Sequence, residues 1–148
     1  MNIENAKKIA CDLIQLHLGP EWSFKWSRAK KCFGVCQHSR RTIKVSKPLV
    51  SLNDEASVRD TILHEIAHAL INIGHGHDHV WKARCREIGA EPVRCFKGSV
   101  NVPTSKYKVV CECGKEFSRN KRIRRGYLLV CPICNAKMGN EDFQLNFT

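Results

Sequence analysis

The chain has 148 residues, which suits one compact domain, or one small domain joined to a metal-stabilised module. Its hydrophobic content of 43% and charged content of 26% are those of a globular protein and exclude wholesale disorder. A formal net charge of +11 attracts polyanions, so nucleic acid is the leading expected partner and an anionic membrane surface the weaker one.

The N-terminal segment and the cysteines indicate a reducing compartment. Residues 1–22 mix charges into their apolar positions and lack the cleavage site of a signal peptide, and no stretch is apolar enough to span a membrane. The nine cysteines are an odd number and include a Cys-x-x-Cys pair, which favours free thiols and metal ligands over disulfides. We therefore expect an intracellular protein without membrane attachment, in the cytoplasm or, in a eukaryote, the nucleus. We also expect a monomer.

The N-terminal half predicts a helix followed by a small sheet. Apolar residues recur at helical spacing from residue 4 to about residue 18, where Gly19 and Pro20 stop the helix. Between Trp22 and Val50 the segments WSFKW, CFGVC and TIKVS are rich in aromatic and β-branched residues and are separated by basic or turn-prone residues. This pattern predicts a small antiparallel sheet covered by the first helix.

Two further helices follow the predicted sheet. The second helix is expected to begin near Ser51 or Asn53, which are candidate N-caps, and to end at Gly74. A third helix is expected from about Asp78 to Glu87, with Gly89 as its stop. The predicted inner face of the third helix comprises Val80, Trp81, Cys85 and Ile88.

The remaining chain predicts a linker and a second module. Residues 97–105, KGSVNVPTS, have the composition of a linker and carry no apolar periodicity. Residues 1–96 are therefore expected to form one domain and residues 106–148 a separate module. In the module, YKVVCECG and YLLVCPIC predict two strands that each end in a cysteine pair, joined by the basic segment FSRNKRIRRG. The expected fold class is α+β.

The sequence His64-Glu65-Ile66-Ala67-His68 lies in the predicted second helix. Because four helical residues turn by about 400°, His64 and His68 project side by side and can bind one metal ion. Glu65 is turned about 100° away, which suits a carboxylate that accepts a proton from metal-bound water and passes it to the leaving amine. The surrounding stretch is apolar, and burying unbound histidines there would be costly. The motif therefore predicts a catalytic zinc site with Glu65 as general base.

A catalytic zinc ion needs a third protein ligand and an open position for water. The candidates are His75, His77, His79 and Glu87. His77 ranks first because it lies in the turn before the third helix, where the backbone can fold its side chain back toward the histidine pair. His79 would point out of the helix, and His75 adjoins the glycine that stops the second helix. Glu87 would give the longer spacing of thermolysin-like enzymes.

Together these residues resemble the SprT-like metallopeptidases, which include the Spartan proteases of DNA–protein crosslink repair. The resemblance covers most of the chain and consists of LHEIAHAL, a Gly-His-Gly turn, His77 four residues before Trp81, the helix end Glu87-Ile88-Gly89 and a C-terminal cysteine module. It implies a minimal zincin-like metallopeptidase domain. The implied site comprises the zinc ligands His64, His68 and His77 and the catalytic Glu65. The repeated histidines of the turn leave His75 as the runner-up ligand.

Two close cysteine pairs in the C-terminal module predict a second, structural zinc site. The pairs are Cys111 with Cys113 and Cys131 with Cys134. Four thiolates can close a tetrahedral zinc site, and the module has few apolar residues, so metal binding would supply much of its folding free energy. A small β zinc ribbon is expected. The other cysteines are expected to be buried small apolar residues: Cys11, Cys32, Cys36, Cys85 and Cys95.

Basic residues cluster in two places. The first cluster lies between Trp22 and Val50, and the sharper one lies between the two cysteine pairs, where side chains can contact phosphates and release counterions. The expected nucleic-acid-binding residues are Arg119, Lys121, Arg122, Arg124 and Arg125. Several aromatic residues are able to stack on unpaired bases, although most are expected in the core: Trp22, Phe24, Trp26, Phe33 and Tyr127.

The leading hypothesis is a zinc-dependent endopeptidase with one catalytic and one structural Zn²⁺, recruited to DNA so that DNA-bound or DNA-crosslinked proteins are its substrates. The resemblance supplies that substrate class, whereas the residues by themselves indicate peptidase activity and polyanion binding. Two alternatives stay open: a protease independent of DNA, and a zinc-stabilised nucleic-acid-binding protein without significant proteolysis. The presence of Glu65 argues against the second, because a purely structural site needs no proton acceptor.

Overall fold

A computed structural model describes residues 1–71, 73–93 and 100–146 of the chain. The chain divides into two compact units, Met1–Pro103 and Thr104–Thr148, and the division falls inside the predicted linker 97–105, of which residues 97–99 lie outside the described part. Both helices and small sheets are present, so the predicted α+β class is confirmed. Among the described residues, no helix has the length and apolar character needed to cross a bilayer.

The first unit begins with helix α1, Ile3–Leu18, as predicted. Asn2 caps it, because its Oδ1 accepts the backbone N–H groups of Glu4 and Asn5 at 2.8 and 3.3 Å. Gly19 ends it with φ 78°, a conformation that favours glycine. The helix buries Ala6, Ala10, Leu13 and Ile14.

The three predicted strands are present as β1 (Ser23–Ser27), β2 (Gly34–Gln37) and β3 (Thr42–Ser46), but the sheet is mixed and not antiparallel. Its order is β1-β3-β2, with β1 parallel and β2 antiparallel to β3. The prediction of an antiparallel sheet is therefore wrong for the β1–β3 pair. The burial of β3 explains the order: four of its five residues are buried, which suits the central strand, whereas the more exposed β1 and β2 lie at the edges.

Two helices, α2 (Lys47–Leu52) and α3 (Glu55–Ala69), follow the sheet. The short α2 was not predicted, because six residues containing a proline show no full amphipathic period. The N-cap of α3 is Asp54, whose Oδ1 accepts the Ser57 N–H at 2.8 Å, so neither Ser51 nor Asn53 caps it.

The helix α3 ends at Ala69 and does not continue to Gly74 as predicted. Ile73, which the helical spacing assigns to its apolar face, is 82% exposed. The apolar spacing is misleading because the chain turns back after Ala69, which allows His77 to return to the helix that carries His64 and His68.

The helix α4, His79–Ile88, follows its prediction closely. Asp78 caps its N-terminus and Gly89 ends it with φ 77°. Trp81 and Cys85 are buried, and Val80 and Ile88 pack against the same core. At the centre of this core α3 contacts α1, α4 and β2, so the histidine motif lies on the most enclosed helix of the unit.

The described part of the second unit, residues 104–146, contains five short strands: β4 (Tyr107–Val110), β5 (Glu116–Arg119), β6 (Leu129–Val130), β7 (Lys137–Met138) and β8 (Phe143–Leu145). They form one antiparallel sheet in the order β5-β4-β8 and a separate β6-β7 pair. The two predicted strands correspond to β4 and β6, and the other three were not predicted. The small core consists of Val109, Cys111, Cys131, Met138 and Phe143.

Candidate metal centre and active site

Three histidine side chains converge on one point in the first unit. His64 and His68 lie one turn apart on α3, and His77 lies just before α4. The Nε2 atom of His77 is 3.1 Å from Nε2 of His64 and 3.2 Å from Nε2 of His68. A candidate ligand atom from each ring lies within 4.8 Å of the other two. The geometry thus brings together the three histidines that the sequence singled out.

The other candidate third ligands lie outside the histidine cluster. For His75, the reason is its contact with Asp78. One carboxylate oxygen of Asp78 caps α4, accepting from the N–H groups of Val80 and Trp81, while the other bonds Nδ1 of His75 at 2.7 Å. This holds the His75 ring on the exposed side of the turn. His79 and Glu87 are also exposed: His79 is the first residue of α4, and Glu87 pairs with Arg84 at 2.5 Å.

Trp81 is the common packing surface of the three rings. Its ring centroid lies 4.6 Å from that of His64, 5.3 Å from that of His68 and 4.6 Å from that of His77. The indole is fully buried, and α4 fixes its position against α3. The imidazole positions are therefore set by core packing, which preorganises them for a common ligand.

Burial keeps two of these imidazoles neutral. It lowers the pKa of His64 to about 4, with further contributions from the nearby His68 and His77 rings. It also lowers the pKa of His68 to about 4, with His77 and His38 adding to the effect. Both rings are therefore uncharged at neutral pH, which is the protonation state that metal ligation requires.

The donor set fits zinc. Zinc–nitrogen bonds of 2.0–2.1 Å in a tetrahedron place neighbouring ligand atoms about 3.3 Å apart. The observed Nε2 separations of 3.1 and 3.2 Å agree with that spacing. Three protein ligands leave the fourth position open, which is the arrangement of catalytic zinc sites.

Glu65 is a buried carboxylate beside the histidines, with only 8% of the residue exposed. Burial raises its pKa to about 7, and the opposing influence is a hydrogen bond from the backbone N–H of Cys36 in β2. A carboxyl group with this pKa can both accept and release a proton near neutral pH. It lies on α3, one residue after His64, and lines the same cavity as the three histidines.

A cavity of about 480 Å³ opens beside this cluster. His64, Glu65, His68 and His77 line one side. The rest of the lining is mainly apolar: Phe33, Leu49, Val93, Val100 and Val102, together with Thr61 and the charged Lys31 and Asp60. The site is therefore a cleft with a polar end and apolar walls, as is common for ligand pockets.

One wall of the cleft depends on a contact that sequence reasoning missed. The side-chain amide of Asn53 pairs with the backbone of Asn101: Nδ2 donates to the carbonyl at 2.9 Å, and Oδ1 accepts from the N–H at 2.9 Å. The pair attaches the segment carrying Val100 and Val102 to the end of α2. No periodicity reveals a single amide 48 residues away, although a buried asparagine is itself a sign of such a bond.

Four cysteines form a second cluster, within the C-terminal unit. Cys111 Sγ is 3.4 Å from Cys134 Sγ, and Cys113 Sγ is 3.7 Å from Cys131 Sγ. The four Sγ atoms all lie within 4.8 Å of one another. Tetrahedral zinc with 2.3 Å bonds to sulfur needs separations of about 3.8 Å, so this cluster also fits zinc. Backbone N–H groups of Cys134 and Ile133 lower the pKa of Cys131, whereas burial and neighbouring thiols raise the pKa values of Cys111 and Cys113, so Cys131 ionises more readily than those two.

The remaining cysteines only partly match their prediction. Every cysteine that the structure describes is a free thiol. Cys85 is buried as expected, whereas Cys36 is half-buried and Cys11 and Cys32 are exposed. Cys11 lies on the solvent face of α1 and Cys32 in the loop before β2, positions that composition alone could not distinguish from the core. Cys95 lies outside the described residues.

The five basic residues predicted to bind nucleic acid lie in the C-terminal unit. Arg119 ends β5 and is half-buried, whereas the other four are exposed: Lys121, Arg122, Arg124 and Arg125. The Arg122 guanidinium lies 5.5 Å from the Tyr107 ring centroid, and that of Arg124 lies 6.0 Å from the Tyr127 centroid. Tyr127 is exposed, unlike the other four aromatic candidates, which pack partly against the core of the first unit.

The sequence model of the SprT-like family matches residues 4–107, which is most of the chain. A curated relative, the DNA-dependent metalloprotease SPRTN of Xenopus tropicalis, is 39% identical over 61 residues. That match covers 37% of this chain and 14% of the relative, so the chain corresponds to only a small part of that protein.

The ranking of the third ligand can be tested by substitution. His77→Ala is expected to lose one of the two expected zinc ions, because two protein ligands hold zinc poorly. His75→Ala is the matched control, since His75 faces Asp78, and it should keep both ions. Metal content is measured by atomic emission after dialysis against metal-free buffer. Loss of zinc from His75→Ala with retention in His77→Ala would reverse the assignment.

The cysteine cluster predicts a different consequence of metal loss. Cys131→Ser is expected to lose the other zinc ion and to raise amide hydrogen exchange across residues 104–146, because the small core of that unit includes two of the ligands. Cys11→Ser, at an exposed position on α1, is the control. Full zinc content and unchanged exchange in Cys131→Ser would exclude a structural metal at this cluster.

Proposed function

The chain belongs to the SprT-like family, and on that premise we propose that it is a zinc-dependent endopeptidase acting on DNA-associated or DNA-crosslinked proteins. The observation that carries the proposal is that three imidazoles at the spacing of metal ligands and one buried carboxyl group line the same cleft. The relative's name, DNA-dependent metalloprotease, agrees with this proposal.

We propose a minimal zincin-like metallopeptidase domain in residues 1–96, a linker in 97–105 and a four-cysteine zinc ribbon in 106–148. The mixed sheet and the central helix α3 support the first assignment, because the metal-binding helix packs against strand β2. The spacing of the cysteine Sγ atoms supports the last. Zn²⁺ is the metal proposed for both sites, one catalytic and one structural.

The catalytic ion would be held by Nε2 of His64, His68 and His77. Zinc in such a site supplies Lewis acidity, which polarises a peptide carbonyl and makes a water molecule more acidic. Glu65 is the proton carrier: its carboxylate accepts a proton from the attacking water and delivers it to the nitrogen of the departing amine. The N–H of Cys36 holds the carboxylate in place while it does so.

The cleft supports a polymeric substrate. Its apolar walls can exclude water around the reacting peptide bond and accept an apolar side chain of the substrate. The pairing of Asn53 with Asn101 keeps Val100 and Val102 in that wall. An extended peptide segment is the form of substrate that such an open cleft admits most readily.

DNA binding is proposed for the exposed basic segment of the C-terminal unit. Lys121, Arg122, Arg124 and Arg125 are exposed, and the chain carries a formal net charge of +11. Exposed guanidinium groups beside tyrosine rings can contact phosphates and stack on bases. We propose that the protein acts as a monomer in the cytoplasm or, in a eukaryote, in the nucleus.

Replacing the proposed base tests the enzymatic part. Glu65→Gln is expected to lower kcat by about 10²-fold or more while zinc content stays unchanged, because the amide is nearly isosteric but cannot take the proton. Cleavage of a DNA-binding protein substrate is followed in the presence and in the absence of DNA. Equal cleavage by wild type and Glu65→Gln would exclude Glu65 as the base, whereas no cleavage by either would favour a nucleic-acid-binding protein without proteolysis. Cleavage by wild type that is unaffected by DNA would favour a DNA-independent protease.

The basic segment is tested by the salt dependence of DNA binding. Replacing Arg122 and Arg124 by alanine is expected to reduce the slope of log K against log salt by about 1.8 on duplex DNA, since each phosphate contact contributes about 0.9. The double variant Lys7→Ala with Lys8→Ala removes the same charge from exposed positions on α1 and serves as the control. An unchanged slope for the arginine variant would remove this segment as the phosphate-binding element.

A further inference from the structure

Gly34, the first residue of β2, lies directly against the Glu65 side chain. A Cβ atom built on Gly34 would lie 2.6 Å from both Cγ and Oε1 of Glu65 and 2.9 Å from Cδ. Real Cβ atoms essentially never come within 3.0 Å of another heavy atom in such contacts. No side chain, not even a methyl group, therefore fits between this strand and the carboxyl group where it now lies.

Backbone conformation does not account for a glycine here. Among the glycines that the structure describes, those with positive φ are Gly19, Gly74, Gly89, Gly114 and Gly126, and Gly34 is not one of them. It lies in a regular antiparallel register with β3, opposite Val45, where a side-chain residue is preferred for strand stability. The space taken by Glu65 is the physical reason that remains.

The close approach also brings the carboxyl group to a hydrogen-bond donor. Two residues after Gly34 in β2, the backbone N–H of Cys36 bonds Glu65. The carbonyl of Gly34 accepts the Sγ–H of Cys32 at 3.0 Å, which further fixes the peptide that faces the carboxyl group. Glu65 is thus held between its own helix and one short strand, with 8% of the residue exposed.

We propose that Gly34 is a positioning residue for Glu65: its lack of a side chain lets the carboxyl group reach the Cys36 N–H and lie in the cleft that the histidine cluster also lines. The inference rests on the proposed function, in which Glu65 carries the proton. A side chain at position 34 would push the flexible end of Glu65 aside. Such a displacement disturbs the core little, but it moves the reacting atoms, to which rates are far more sensitive.

The first test is the Gly34→Ala enzyme. We expect kcat to fall by about 10²-fold with KM changed by less than about twofold, because a shift of about 1 Å in a catalytic group has an effect of this size. Zinc content and melting temperature should match those of wild type. Gly76→Ala is the matched control: a Cβ there meets nothing within 4 Å, so its kcat should be unchanged. Unchanged kcat in Gly34→Ala, or loss of its zinc, would overturn the proposal.

A double-variant comparison separates positioning from a general structural effect. Glu65→Asp shortens the side chain by one methylene and relieves the contact with an alanine at position 34. The kcat loss caused by Gly34→Ala should therefore be at least about tenfold smaller in the Glu65→Asp background than in wild type. Independent losses that simply multiply would show that residue 34 does not act through Glu65.

A measurement without catalysis distinguishes this inference from the proposed function. The backbone amide resonance of Cys36 reports the hydrogen bond to Glu65. In Gly34→Ala it should move toward its position in Glu65→Ala, whereas in Gly76→Ala it should stay where it is in wild type. If wild type and Glu65→Gln prove equally inactive, the enzymatic proposal fails and the resonance still decides the contact. A Cys36 amide unmoved in Gly34→Ala overturns the role of Gly34.

Discussion

The packing of the buried Glu65 carboxyl group against strand β2 is the interaction on which the candidate site of the first unit depends. Water stabilises the ionised form of a glutamate side chain, and burial removes that water. The rise in the pKa of Glu65 from 4.5 to about 7 corresponds to a destabilisation of the ionised form by about 3 kcal/mol. Two features of β2 make this burial possible. The N–H of Cys36 partly replaces the hydrogen bonds of water, and Gly34 has no side chain that would keep the strand away from the carboxyl group. In the metal-free protein the penalty grows as pH rises from about 4.5 to 7. A cation at the neighbouring histidines would reduce it by favouring the charged form.

Helix α3 presents Glu65 on one face and the two histidines on another. About 100° separates successive residues of α3, so burying Glu65 against β2 leaves His64 and His68 to point toward α4. The third ring reaches them only because α3 ends early and Asp78 starts a new helix directly after His77. Trp81, one turn into α4, then packs on all three rings. The phase of α3, the Asp78 cap and the buried Trp81 indole thus bring the three histidine rings together.

The division between what the sequence could and could not predict follows the range of the interactions. Caps and glycine stops act over a few residues, so α1 and α4 are found nearly at their true ends, and His77, which the sequence ranks above His75, lies in the histidine cluster. The pairing of β1 with β3 depends on burial of a whole strand. The bond between Asn53 and Asn101 and the contact between Gly34 and Glu65 are single events across the fold, and no local pattern records them. These two long-range contacts determine the position of one cleft wall and of the Glu65 carboxyl group.

The two metal clusters stand in opposite relations to the folding of their units. The histidines lie on a core of apolar side chains that are not metal ligands, among them Ile62, Ile66 and Trp81, so a metal ion there would add function to a scaffold that folds by apolar packing. In the C-terminal unit two of the five core residues are themselves candidate ligands, Cys111 and Cys131. Little apolar surface remains to offset the entropy of ordering that unit, so a metal ion bound to the four cysteines would supply much of its folding free energy. Chelation that empties both clusters would therefore leave the first unit folded and inactive, while the second would lose its fold and, with it, the arrangement of the basic segment.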